Sequence, residues 1–95
     1  MALTPEGRTK KQKRERLNAR GIRYFLPVSN GMGKAGIPDF ICAVPPTGRI
    51  LAIEAKAAGK SKNTTALQDM RLQEIRDAGG IALVVDDVSQ LEGVC

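Results

Sequence analysis

The chain has 95 residues, 42% of them apolar, enough for one modest core in one domain spanning residues 1–95. Histidine is absent, which excludes Ser-His-Asp and Cys-His triads, histidine general bases and the commoner zinc-ligand sets. The net charge of +5 favours polyanionic partners, and no run approaches the roughly 20 apolar residues of a membrane span.

Thr4-Pro5-Glu6 predicts a helix start: an N-cap hydroxyl, proline at the first helical position, and an acid near the positive end of the dipole. Gly21 is its predicted stop. From Lys10 to Arg20 only Leu17 and Ala19 are apolar, too few for an ordinary core-facing stripe. Such a helix is expected to be largely solvated, or to lie against a phosphate backbone or another subunit. Charge concentrates here: residues 1–23 carry +6, residues 24–62 carry +3 and residues 63–95 carry −4. The basic end is the expected nucleic-acid face.

Ile22–Val28 reads as a strand that Pro27 places at an edge or ends early. A glycine-rich loop, 29–36, follows. Asp39–Val44 and Arg49–Ala55 read as strands around a Pro45-Pro46-Thr47-Gly48 turn. After a polar loop over 57–63, Thr64 or Thr65 caps a second helix that runs to about Ala78 and stops at Gly79-Gly80. Ile81–Val85 is a short β-rich apolar run, expected to be a central strand, and a last helical turn can follow from Val88. The order α-β-β-β-α-β predicts an α/β layer fold. Cys42 and Cys95 read as reduced thiols of a cytoplasmic protein, and no secretory signal is visible.

Gly31-Met32-Gly33-Lys34-Ala35-Gly36 fits the G-x-G-x-x-G pattern, but a dinucleotide site needs its third glycine to open a helix. Here Ile37-Pro38-Asp39 and a strand follow, so no nucleotide cofactor is expected. The segment reads as a loop, or as a flap that offers Lys34 and backbone amides to a phosphate.

The informative constellation is Asp39, Glu54 and Lys56. If the hairpin is symmetric about its turn, Val44 faces Arg49 and Asp39 sits opposite Glu54, with Lys56 on the same face. Opposed carboxylates destabilise a sheet, and a hard divalent cation relieves that cost better than lysine does. Asp39 and Glu54 would supply two oxygens to Mg²⁺ and the Ala55 carbonyl a third. Lys56 would position or deprotonate a water, or pair with a transition-state oxyanion. Glu-x-Lys alone is a common pattern, and its structural reading is an exposed strand end with a cross-strand ion pair. In the second helix, Gln68 falls at about 100° from Leu67, between Ile75 and Leu72, and Arg71 near 40°. Gln68 therefore either reaches over the sheet to Asp39 and Glu54 or bonds a backbone group. Arg71 either contacts phosphate or extends to the rim.

These residues resemble the virus-type replication-repair nuclease (VRR-NUC) family of the PD-(D/E)xK nuclease superfamily. The matching pieces are Glu6 fifteen residues before Gly21, the Ser29-Asn30-Gly31 loop, and Gly36-Ile37-Pro38-Asp39. Glu54-Ala55-Lys56 follows after fourteen intervening residues, then Gly59, Gln68 and Gly79-Gly80 before the last strand. The resemblance runs from Glu6 to about Val85. It implies a restriction-endonuclease-like core with a mixed sheet flanked by helices, and a Mg²⁺- or Mn²⁺-dependent DNA nuclease. In that reading Asp39 and Glu54 are metal ligands and Lys56 is the catalytic lysine. Glu6 reaches the outer metal shell from the first helix, and Gln68 assists from the second. It further implies a phage- or bacterium-encoded homodimer acting on branched DNA, as junction-resolving enzymes do in replication, recombination or repair.

Arg8, Lys10, Lys11, Lys13, Arg14 and Arg16 are expected to give salt-sensitive DNA affinity, together with Lys34, Lys60, Lys62 and Arg71. Sequence readout is not expected, since no groove-reading motif is present. The competing readings are a non-catalytic DNA-binding module with a decayed nuclease fold, and a general nicking subunit that needs a partner. RNA is less favoured, because aromatic residues are 3% of the chain and offer few stacking platforms.

Overall fold

The computed structural model describes residues 5–27 and 35–91, and their side chains from Lys10 onward. Thr4, Lys34, Cys95 and most of the glycine-rich loop lie outside the described residues, as do the side chains of Glu6 and Arg8. Helix α1 (Pro5–Ala19) leads to strands β1 (Arg23–Phe25), β2 (Phe40–Val44) and β3 (Arg49–Ala55), then helix α2 (Ala66–Asp77) and strand β4 (Ile81–Val85). A 3-10 turn, Val88–Leu91, closes the described chain.

The sheet order is β1-β2-β3-β4, with the first two pairings antiparallel and β3–β4 parallel, so the sheet is mixed. Among the described residues β4 is therefore an edge strand rather than the central one its composition suggests. The apolar run is explained by cover on both faces instead of by neighbours on both sides. Ala82 and Val84 pack with Leu72 of α2, whereas Leu83 and Val85 join the opposite cluster with Leu91. Strand β1 is shorter than expected: Leu26 and Pro27 are exposed and unpaired in the sheet, consistent with proline having no N–H to donate.

The β2–β3 hairpin is symmetric about its turn. Val44 pairs with Arg49 and Phe40 with Ile53, so continuing the register sets Asp39 opposite Glu54. The turn holds a cis Pro45–Pro46 bond and Gly48 at φ +76°, whose N–H donates to Val44 O at 2.8 Å. Alternation sends Leu51, Ile53 and Ala55 to one face and Ala52 and Glu54 to the other. The first face carries the larger core cluster, with Phe40, Leu17, Val85 and Leu91, and the second carries Leu72.

Helix α1 is not simply solvated. It packs on β1, β3 and the 3-10 turn through Leu17 and Lys13, both at 0% exposure. The sequence counts only Leu17 and Ala19 as apolar there, but the four-carbon stem of a lysine can fill a core position as well. This corrects the placement of Lys13 among surface phosphate contacts, since its side chain is enclosed. Burial lowers its pKa to about 8, partly offset by the nearby charges of Asp87 and Asp86. Its Nζ has no hydrogen-bond partner among the described residues.

Candidate active site

Two helix layers and the end of the hairpin converge on Asp39 and Glu54. Asp39 follows Pro38, which is fully buried, and Gly36, which passes tightly over the first turn of α2. A Cβ on Gly36 would lie 2.8 Å from Leu67 Cγ and 3.1 Å from Leu67 O, and its φ is +78°. Only glycine fits that approach, and it delivers the chain to Asp39 at a fixed height. The N–H of Ala55 donates to Asp39 Oδ2 at 2.9 Å, tying the aspartate to β3 just beyond the last ladder pair.

Glu54 is 4% exposed and points to the α2 face. Gln68 meets it there: Nε2 donates to Glu54 Oε1 at 3.3 Å, while Gln68 Oε1 accepts from Lys56 Nζ at 3.2 Å. Lys56 Nζ is also 3.9 Å from Glu54 Oε1. The same Gln68 oxygen accepts the N–H of Thr65 at 3.0 Å, and Gln68 N–H donates to Thr65 Oγ1 at 3.1 Å. Thr65, not Thr64, is thus the N-cap, and the capping box and the carboxylate cluster share one side chain. Gln68 thus bonds a backbone N–H and also reaches over the sheet to Glu54.

From the other helix, Lys10 Nζ lies 3.2 Å from Asp39 Oδ1. The sequence assigned Lys10 only to the basic DNA face, and the signal for more was present. Lys10, Lys13 and Leu17 follow helical spacing, so a buried Leu17 turns Lys10 inward as well.

Two ammonium groups, Lys10 and Lys56, face the two carboxylates, yet Glu54 still holds its proton well above the usual carboxylate range. Burial, the charge of Asp39 and a hydrogen bond shared with it together raise the Glu54 pKa to about 7, with Lys56 and Lys10 offsetting only part. Two acids in contact, one deeply buried, form a donor set suited to a hard divalent cation, which takes carboxylate and carbonyl oxygens. Among the described residues no group of three or more His, Cys, Asp or Glu is placed to hold a metal, and this site brings together two carboxylates.

A comparison with solved structures finds a chain described as a VRR_NUC domain, 28% identical, with a TM-score of 0.72. The match covers 96% of this chain and 94% of that one. The chain thus shares its fold, over nearly its whole length, with a VRR_NUC domain. No protein-family model matches it, and no curated protein does.

Around this carboxylate pair the other expected contacts are spread over two regions. Lys11 is exposed and pairs loosely with Glu15 at 3.9 Å, and Arg14 and Arg16 are half-buried. Lys60 and Lys62 are exposed in the loop after β3. Arg71 is held in place: its Nε donates to Ala35 O at 3.1 Å and its Nη1 to Glu74 at 2.7 Å. It therefore anchors the end of the glycine-rich loop to α2. Whether Glu6 or Arg8 reaches the carboxylates falls outside the described side chains, as does Lys34.

Proposed function

We propose that the chain is a Mg²⁺- or Mn²⁺-dependent DNA endonuclease that hydrolyses phosphodiester bonds at the Asp39–Glu54–Lys56 cluster. The observation that carries this reading is the meeting of two carboxylates and an ammonium at one strand end, with Glu54 4% exposed beside Asp39. A purely structural pair would gain by replacing one acid with an amide, whereas a metal site retains both. The likeness to a VRR_NUC domain supports the same chemistry.

Asp39, Glu54 and the Ala55 carbonyl would hold the cation, which when bound acidifies a water and stabilises charge on phosphate. Lys56, fixed between Glu54 and the Gln68 oxygen, orients the attacking water or faces the developing oxyanion. Gln68 sets the spacing of Glu54 and Lys56, and the α2 cap in turn sets Gln68. Lys11, Lys60 and Lys62 are exposed and would neutralise backbone phosphates without reading bases. The preferred substrate in this reading is branched DNA, cut by a homodimer in phage or viral replication, recombination or repair. That part rests on the sequence resemblance and on the lack of a groove-reading motif.

The test is incubation of the protein with linear duplex, flap and four-way-junction DNA in Mg²⁺ or EDTA, beside Asp39→Ala. Metal-dependent cleavage that Asp39→Ala abolishes is the expected result. Binding without cleavage in any divalent metal would establish the decayed-fold alternative, and cleavage in EDTA would refute the metal mechanism.

A further inference from the structure

We propose that Lys10 is a built-in counter-cation. It occupies Asp39 in the metal-free protein and passes to a DNA phosphate, so that DNA and the divalent cation strengthen each other's binding. The inference rests on the proposed metal site and adds a role for a residue outside the Asp39–Glu54–Lys56 motif.

Asp39 has two oxygens with different surroundings. Oδ2 accepts the Ala55 N–H at 2.9 Å, and Oδ1 faces the Lys10 ammonium at 3.2 Å. Lys10 therefore sits on the oxygen not committed to the β3 backbone, where an incoming cation would bind. A single and a double positive charge cannot share that oxygen without mutual repulsion. Lys10 is directed there by the fold, because Lys13 and Leu17, one and two turns along the same face of α1, are fully buried.

The pair is also reachable. The Lys10 side chain is 36% exposed and that of Asp39 23%, so a phosphate can approach the ammonium from solvent. A lysine head on a flexible stem can change acceptors with little rearrangement. Transfer to a phosphate frees Oδ1 while the phosphate brings its own oxygens towards the cation. Linkage then requires the converse: bound cation expels Lys10 from Asp39 and raises its availability to DNA by the same factor.

The test measures Mn²⁺ affinity by electron paramagnetic resonance, with and without a short phosphorothioate duplex that resists turnover. Wild type, Lys10→Met, Lys10→Arg, the exposed neighbour Lys11→Met, and Asp39→Asn are compared after circular dichroism establishes that each is folded. Lys10→Met should bind Mn²⁺ about fivefold tighter than wild type without DNA, the scale of a part-exposed ion pair. DNA should tighten Mn²⁺ binding in wild type, Lys10→Arg and Lys11→Met, and that gain should be several-fold smaller in Lys10→Met, where only the phosphate oxygens contribute. Unchanged or weaker Mn²⁺ binding in Lys10→Met, or an undiminished DNA-induced gain, overturns the role of Lys10. If wild type and Asp39→Asn titrate alike, the metal site itself fails and the proposed function with it. Loss of binding in Asp39→Asn with a wild-type-like Lys10→Met refutes the Lys10 inference alone.

Discussion

Glu54→Gln should stabilise the metal-free protein in a pH-dependent way. The folded pKa of Glu54 is raised from 4.5 to about 7, chiefly by burial and then by Asp39. The folded state thus holds its proton over a range where the unfolded chain has lost it, and stability falls as pH rises from about 4.5 through 7. At 1.36 kcal/mol per pH unit, the full cost of ionising Glu54 is at most about 3 kcal/mol, reached above pH 7. Glutamine does not titrate, and its side-chain oxygen can still accept from Gln68 Nε2. In EDTA at pH 8 the variant should unfold at about 1–3 M higher urea, whereas at pH 4 the two midpoints should nearly coincide. Mg²⁺ at pH 8 should raise the wild-type midpoint and leave the variant unchanged. A variant no more stable than wild type at pH 8, or a gain that does not vary with pH, would refute the reasoning.

Lys13→Met tests the other buried charge. The folded pKa is lowered from 10.5 to about 8, so the unfolded chain binds the extra proton between those values and wild-type stability rises with pH across them. The variant should be more stable by up to about 3 kcal/mol at pH 7, with the advantage gone by about pH 10.5 in urea melts. Gly36→Ala places a Cβ 2.8 Å from Leu67 Cγ at φ +78°; it should cost about 1–3 kcal/mol and lower Mn²⁺ affinity by displacing Asp39. Thr65→Ala should cost about 1 kcal/mol of stability through the lost cap while retaining cleavage, whereas Gln68→Ala should lose both.

Much of the site was legible because a two-residue alternation with a symmetric turn fixes cross-strand partners arithmetically. Val44 opposite Arg49 is enough to set Asp39 against Glu54. The α2 cap was readable only to within one residue, Thr64 or Thr65, and the Thr65–Gln68 capping box decides it in the structure. The packing of α1 was not, because hydropathy counts Lys13 as polar while the fold uses its methylenes as core. Nor was the edge position of β4, because an apolar run reports cover above and below a strand and says nothing of lateral neighbours. Lys10 was hidden for a related reason: in a run of cations, composition does not show which one the helix turns inward.

The most direct measurement is a Mn²⁺ titration of ¹⁵N-labelled protein, following paramagnetic broadening of backbone amide signals. Broadening centred on Asp39, Glu54, Ala55 and Lys56, reversed by excess Mg²⁺ and lost in Asp39→Asn, is the predicted result. Broadening scattered over the acidic residues 69–87, with the amides of 54–56 unaffected, would contradict a cation held between the two strands.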